Sequence, residues 1–202
     1  GLTLVLGGGE VSLLDMTSAY GVFANEGVRM QPTPVLTVTD KDGKIIEEYK
    51  EESVQVIPKN VALQISDVLS DNNARIPTFG ANSPLYFAGR DVAAKTGTTN
   101  DNRDAWVMGY TPTIAVGAWS GNSDNSKMTK GGSAVSGPLW HAFMAEALKT
   151  MPNEQFEEPN QPENYSSLKP VLRGQWQGGQ SYFIDTVSGG LATEFTPDET
   201  KK

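Results

Sequence analysis

Cysteine is missing from all 202 residues, which excludes disulfides and thiolate metal sites and is compatible with an extracytoplasmic compartment. Histidine is nearly missing. Its single copy, His141, argues against a multi-histidine metal centre and against a histidine-based catalytic triad. Positive charge is in short supply: 16 Lys and Arg stand against 24 Asp and Glu, and the net charge of −8 argues against a nucleic-acid groove. No apolar run approaches the length of a membrane span. The opening residues Gly1-Leu2-Thr3-Leu4 carry no Met and no charged region, so they show no signal-peptide pattern. A phosphate loop is absent too. Gly7-Gly8-Gly9 fits neither the dinucleotide-binding nor the P-loop spacing and reads as a tight turn.

What is present suits one domain or one and a half, with 38% hydrophobic residues to build a core. Ser12 reads as a helix N-cap with Asp15 in capping-box position, and Met16, Ala19, Tyr20 and Phe23 share one apolar face. Gly27 suits the left-handed position that ends this helix. Residues 35–48 read as a hairpin turning at Asp42-Gly43, Lys50-Glu51-Glu52 as solvated surface, and residues 54–57 as a short strand. Pro58 begins a helix whose buried stripe is read as Val61, Ile65, Val68 and Leu69, and Asp71-Asn72-Asn73 stops it. Residues 75–89, with Pro77, Gly80, Pro84 and Gly89, read as a loop that Phe79, Tyr86 and Phe87 pack onto the body.

Residues 92–99, 105–110 and 114–119 are three strand candidates with short connections, which predicts an antiparallel meander with Trp106 and Trp119 in the core. Residues 121–132 are a polar loop. Pro138 is read at the first position of a helix whose apolar face is Trp140, Phe143, Met144 and Ala147, with His141 at its surface or boundary. Residues 152–164 are rich in Pro, Glu, Asn and Gln and read as a linker. The tail 182–195 has a hairpin pattern around Ser188-Gly189-Gly190, and residues 197–202 read as a frayed end. The division expected is a body at 1–151, a linker at 152–181 and a small hairpin-like tail at 182–202.

The chain is organised around Val92-Ala93-Ala94-Lys95-Thr96-Gly97-Thr98-Thr99, which starts apolar like a buried strand and turns polar abruptly. Lys95 and Thr96 offer a cation and a hydroxyl to an anion. Gly97 has no Cβ, so a second backbone can come close. Thr98 adds another hydroxyl and an amide. Such an edge suits a peptide ending in a carboxylate, added alongside as an extra strand. Arg103 and Asp104, just beyond, are read as an ion pair holding the turn, or as residues shaping the mouth of the site.

In order along the chain, Leu6-Gly7-Gly8-Gly9-Glu10-Val11-Ser12 with Phe23-Ala24-Asn25-Glu26-Gly27, then Ala94-Lys95-Thr96-Gly97-Thr98-Thr99-Asn100 with Arg103-Asp104-Ala105-Trp106 and Gly109-Tyr110-Thr111-Pro112, then Gly131-Gly132-Ser133-Ala134 with Pro138-Leu139-Trp140, form three blocks. Together they resemble the C-terminal half of the transpeptidase domain of class A (bifunctional) penicillin-binding proteins. Gly190-Leu191-Ala192-Thr193 with Pro197 is similar to the family's tail. The likeness covers most of residues 1–151 and, more weakly, 182–197.

The resemblance implies an α+β fold: an antiparallel sheet flanked by helices, of the kind shared with serine β-lactamases. The family's sheet has five strands, so this one is expected to be incomplete on its N-terminal side and to leave residues 114–119 as an exposed edge. It implies a peptidoglycan D,D-transpeptidase that cross-links cell walls by acyl transfer from D-Ala-D-Ala stem peptides and is the target of β-lactams. No cofactor, metal or nucleic acid is implied. Partners implied are the stem peptide, β-lactam antibiotics and an upstream part of the same chain. The parent is expected outside the cytoplasm, attached to the membrane only through an N-terminal anchor. In this picture Lys95 supports the site electrostatically, Thr96 and Thr98 hydrogen-bond the terminal carboxylate, Gly97 keeps the strand edge open, and the Thr98 backbone amide is one of two oxyanion donors.

The family's motif order is Ser-x-x-Lys, Ser-x-Asn, then Lys-Thr-Gly, so the nucleophile is expected before Gly1 and none is assigned here. Ser166-Ser167-Leu168-Lys169 fits the first pattern, and Ser70-Asp71-Asn72, Ser120-Gly121-Asn122 and Ser123-Asp124-Asn125 fit the second, but all are read as chance matches. Ser166 follows the third motif in a linker, whereas the nucleophile needs a helix start that points its Lys the same way one turn on. Residues 1–202 alone are therefore expected to be inactive. Two other readings compete: a β-lactamase or D,D-carboxypeptidase with water as acceptor, and a non-catalytic penicillin-recognising, cell-wall-binding module.

Overall fold

The structure, a computed structural model, describes residues 2–161, 164–169, 173, 183–188 and 190–201. It divides into two compact units, Gly1–Asn160 and Gln161–Lys202.

In the first unit a 3-10 turn at Leu2–Leu6 closes at Gly7, whose φ of 85° suits glycine. Helix α1 (Leu13–Ala24) begins at Ser12, whose Oγ accepts the Asp15 N–H at 3.1 Å. It ends at Gly27, with φ 91° and its N–H donated to the Val22 carbonyl. Tyr20 and Phe23 of α1 pack on Tyr110, and Val22 is the fully buried residue of the helix, while Ala19 is exposed. Strand β1 (Val28–Met30) pairs antiparallel with β4 (Ser53–Gln55), and β2 (Thr37–Thr39) with β3 (Ile45–Glu48) across the Asp42-Gly43 turn. The hairpin stands where the Asp-Gly signal put it. The partner strand β1 was not legible, because three residues carry too little periodicity.

Helix α2 (Lys59–Ser70) corrects the expected stripe. Its buried residues are Ala62, Leu63 and Ser66, Leu69 is half-buried, and Val61, Ile65 and Val68 face outward. The packed side is the one with small residues, since these admit Tyr110, whose hydroxyl lies 3.1 Å from Ser66 Oγ. Burial there pushes the Tyr110 hydroxyl up to about 12. A second correction follows directly. Residues 75–79, read as the start of a loop, belong to helix α3 (Asn72–Phe79), because Asp71 caps it by accepting the Ala74 N–H at 3.1 Å and so outweighs the break expected at Pro77. Arg75 then ties this region down through the carbonyls of Leu85 (2.8 Å) and Ser70 (2.9 Å), and partial burial lowers its pKa. Phe87 is buried and Phe79 packs on the core, but Tyr86 remains exposed.

The meander is as predicted. Strands β5 (Ala93–Thr98), β6 (Asp104–Thr111) and β7 (Ile114–Gly121) form one antiparallel sheet in the order β5-β6-β7. Alternation gives it two faces. Ala94, Val107, Val116 and Ala118 face helix α4 (Gly132–Ala147) and pack with Trp140, Met144 and Leu148 into the main core. Ala93, Tyr110 and Ala115 lie on the other face, towards α1 and α2. Helix α4 starts six residues before Pro138, which sits inside it, because Gly132 donates its N–H to Thr98 Oγ1 and Ser136 pins the first turns through the Ala105 carbonyl (2.7 Å). Its buried line is Ser136, Trp140, Met144 and Leu148. Phe143 lies off that line and points out, 60% exposed. Trp106 and Trp119 are also not core: Trp106 is half-buried and Trp119 is 42% exposed, since they cap the end of the sheet face that α1 and α2 do not reach.

Residues 152–160 have no regular secondary structure, yet they are strapped to this unit. Phe156 packs edge-on against Tyr110 and donates its N–H to Asp91, and Asn160 donates its N–H to Asn60. Glu157 and Glu26 both pair with Lys59 and raise its pKa. The second unit contains a short 3-10 turn at Tyr165–Ser167 and antiparallel bridges joining Ile184 to Leu191 and Asp185 to Lys201. The bridge at Lys201 holds the end read as frayed. Tyr182 and Gly189 of the expected tail hairpin, and residues 162–163, 170–172 and 174–181 of the expected linker, lie outside the described residues. No described helix is long and apolar enough to cross a membrane.

Candidate active site

Strands β5 and β7 are the two edges of the sheet among the described residues, and the register of β5 decides what it offers. Thr99 donates its N–H to the Asp104 carbonyl at 3.2 Å, and Thr98 stands opposite Ala105. Pairs alternate between bonded and non-bonded along an antiparallel ladder. Residues 95, 97 and 99 therefore bond inward to β6, and the N–H and C=O groups of Thr96 and Thr98 point to the other side of β5. No described strand pairs there. Lys95 reaches that same side: its Nζ donates to the Thr96 carbonyl at 2.7 Å, and its side chain is exposed. The structure thus places the Lys95 cation and the Thr98 amide along one open edge, while alternation puts the side chains of Thr96 and Thr98 on the sheet face shared with Ala94, where Thr98 meets the start of α4.

Gly97 has a spatial reason to be glycine. A Cβ there would come within 3.2 Å of Trp106 Cβ across the ladder. Its φ is unremarkable for any residue, so the constraint is contact with Trp106. Thr98 is half of a second contact. Its Oγ1 accepts the Gly132 N–H at 2.9 Å, joining β5 to the start of α4.

The turn after β5 differs from the expected Arg103–Asp104 ion pair. Asp104 accepts hydrogen bonds from Thr99 Oγ1 at 2.7 Å and Trp119 Nε1 at 3.0 Å, while Arg103 approaches Asp101 at 4.0 Å and donates to the Asn125 carbonyl. Asp101 also pairs with Lys127 at 3.0 Å. Adjacent residues alternate sides at the start of β6, so neighbours in sequence are poorly placed to pair. Asp101 and Asn102 both take positive φ, 64° and 55°, which residues of this type tolerate in tight turns. The network of Asp104, Thr99 and Trp119 and the contact of Gly131 and Gly132 with Thr98 went unread in the sequence. The available signal was a glycine pair before a helix with no Ser, Asp or Asn to cap it.

The rejected serine patterns fall in unpromising places. Ser70 is the last residue of α2, its hydroxyl bonded to the Asp67 carbonyl. Ser120 is bonded to Ser136. Ser166 belongs to the second unit, in a three-residue turn that does not continue as a helix. His141 lies at the boundary, as read, stacked on Phe87 at 4.3 Å with Nδ1 2.8 Å from the Pro84 carbonyl. Among the described residues no group of three His, Asp or Glu side chains could hold a metal ion.

Residues 5–145 match the family model described as the penicillin binding protein transpeptidase domain. The chain is 37% identical over 164 residues to penicillin-binding protein 1A of Aquifex aeolicus, covering 80% of this chain and 22% of that protein. It is 33% identical over 181 residues to penicillin-binding protein 1A of Mycobacterium tuberculosis, covering 82% of this chain and 21% of that one. The chain thus spans about a fifth of the length of these relatives. Among solved structures it is similar to a penicillin-binding protein of Mycobacterium tuberculosis, with a TM-score of 0.71 and 30% identity over 80% of this chain and 44% of the other; that protein has also been solved in complex with penicillin V. Penicillin-binding protein 1A of Haemophilus influenzae, 19% identical with a TM-score of 0.64 over 100% of this chain and 33% of that one, shares the fold. The chain belongs to the penicillin-binding protein transpeptidase-domain family.

Proposed function

We propose that the open edge of β5 is the carboxylate-gripping side of a serine D,D-transpeptidase site that acts on D-Ala-D-Ala stem peptides and is acylated by β-lactams. The observation that carries this reading is the open edge on which the Lys95 ammonium and the outward Thr98 amide converge, with the Thr98 hydroxyl close by at the start of α4. A stem peptide laid along that edge pairs as an added strand, and its terminal carboxylate meets Thr96, Thr98 and the Lys95 charge. A serine oxygen attacks the penultimate D-Ala carbonyl, forming an ester bond. The Thr98 N–H donates to the oxygen that turns negative. The peptide C–N bond breaks and terminal D-Ala leaves with a proton on its nitrogen. An acceptor amine then displaces the serine and restores its hydroxyl. The complex of a 30% identical relative with penicillin V supports β-lactam binding.

The nucleophile in this reading lies outside the 202 residues, as do the remaining strands of the sheet. Residues 1–151 contribute the later part of the transpeptidase domain, 152–181 a linker and 182–202 a small tail, in a protein that works outside the cytoplasm. Residues 1–202 alone should form no covalent adduct with fluorescent penicillin on a denaturing gel. A stable adduct mapped to Ser166 contradicts this assignment. Natural full-length protein should be labelled on a serine that opens a helix and is followed by Lys one turn on. Absence of such a serine turns the reading towards a non-catalytic penicillin-recognising module. A faster release of the acyl group to water than to an added amine favours the hydrolase alternative.

A further inference from the structure

We propose that Gly131 and Gly132 are positioning residues for Thr98: they give its hydroxyl a fixed hydrogen-bond donor from α4 and so leave it to donate its own proton to a ligand carboxylate at the β5 edge. The inference deepens the transpeptidase reading of that edge and rests on it.

A threonine hydroxyl has one proton to give and two lone pairs to receive. An unengaged hydroxyl rotates and serves an N–H as readily as a carboxylate. Here the Gly132 N–H occupies one lone pair at 2.9 Å. That amide belongs to the first residue of a 16-residue helix, where the unsatisfied N–H groups carry a partial positive charge. A hydroxyl that accepts from such a donor is polarised towards giving its own proton to an anion.

The two glycines are required by space and not by backbone conformation. Gly131 has φ −104° and ψ −169°, which any residue adopts, and neither glycine has a positive φ. A Cβ on Gly131 would stand 2.7 Å from Thr98 Cγ2 and 2.8 Å from Thr98 Oγ1. A Cβ on Gly132 would stand 2.8 Å from the Gly97 carbonyl and 3.1 Å from Thr98 Oγ1. The Gly97 carbonyl is backbone of β5 and cannot give without moving the edge, whereas the Thr98 atoms are side chain and give way only by turning the hydroxyl from its present place. The helix also has no cap of its own: Gly131 offers no side chain, and Thr98 from the sheet does the work a capping Ser or Asp does elsewhere. Ser136, bonded to the Ala105 carbonyl at 2.7 Å, holds the next turn against β6, so α4 cannot retreat from an added methyl group.

The test compares acylation of the natural full-length protein by penicillin V with acylation by its methyl ester, which lacks the anionic carboxylate. The wild type is expected to prefer the acid by about tenfold or more, the scale of a charge-assisted hydrogen bond. Gly131→Ala should lower acylation by the acid about tenfold and leave the ester within about twofold, on the same scale. Adding Thr98→Ser, which removes the crowded methyl, should return part of the lost preference. A merely structural role for the glycine lowers both reactions together and overturns the proposal. So does a Gly131→Ala protein that keeps the wild-type preference. If the wild type reacts with neither compound, the transpeptidase reading itself falls, and this inference with it. Should Gly131→Ala not accumulate as folded protein, Thr98→Val decides. It keeps the side-chain volume, and exchange of the Gly132 amide hydrogen should quicken by about tenfold or more once its acceptor is gone. An unchanged exchange rate overturns the proposal independently of any acylation.

Discussion

The two faces of the β5-β6-β7 sheet are built from the same strands and treated in opposite ways. On one, Val107 and Trp140 are fully buried and Ala94, Val116 and Ala118 nearly so, closed over by a single helix. On the other, cover runs out along the strands. Tyr110 is sealed by Tyr20, Phe23, Ser66 and Phe156, but one rung on Lys95 is exposed, and beyond it the paired indoles of Trp106 and Trp119 stand 6.4 Å apart at the open end. Alternation along β5 thus buries Ala94 on the α4 face and leaves Lys95 exposed on the other. Burial is concentrated on the α4 side, and the recognition chemistry proposed above lies at the open edge and at the start of α4 beside Thr98.

Several substitutions break or sharpen that contrast. Trp140→Ala should remove about 3–5 kcal/mol of unfolding free energy by opening a cavity in the closed face, read as a fall in denaturant midpoint. Lys95→Ala should leave that midpoint nearly unmoved and reduce penicillin acylation of the full-length protein by about 10²–10³-fold, as loss of a positioned electrostatic group does. If the two variants behave alike, the division between the faces is wrong.

Tyr110 gives an intermediate effect with a defined pH window. Its folded pKa is raised to about 12 from the ordinary 10.0 of a tyrosine, first by burial. The unfolded chain therefore loses this proton at lower pH than the folded one. The contribution is fully present below about pH 10 and declines as pH rises to about 12, a loss of roughly 1–3 kcal/mol. A Tyr110→Phe protein should show a shallower decline over the same range. At the small end, Val68→Lys on the outward side of α2 should change stability by less than about 0.5 kcal/mol, whereas Ser66→Ala on the inward side should cost about 1 kcal/mol by leaving the Tyr110 hydroxyl without this partner.

The contrast also separates what the sequence made legible from what it did not. The β5 motif, the meander, the α1 cap and the Asp42-Gly43 turn depend on local chemistry and were readable. The differences in buried face share one cause. Val61, Ile65, Val68 and Phe143 satisfy helical periodicity but point outward, because the tight contacts to the sheet go to Ala62, Ser66 and Ser136, and periodicity weighs apolar bulk and not closeness of approach. The apolar bulk of Trp106 and Trp119 points to the core for the same reason, although both stand at its open end. Pro138 misled about the start of α4 because the true start is fixed by Thr98, 34 residues earlier.

The most direct test of the central claim is a crystal structure of the natural full-length protein acylated by penicillin V. The predicted result has the ligand carboxylate about 3 Å from Thr96 Oγ1 and Thr98 Oγ1 and the acyl oxygen on the Thr98 N–H, along the open edge of β5. A ligand bound away from that edge, or a carboxylate touching neither threonine, contradicts it.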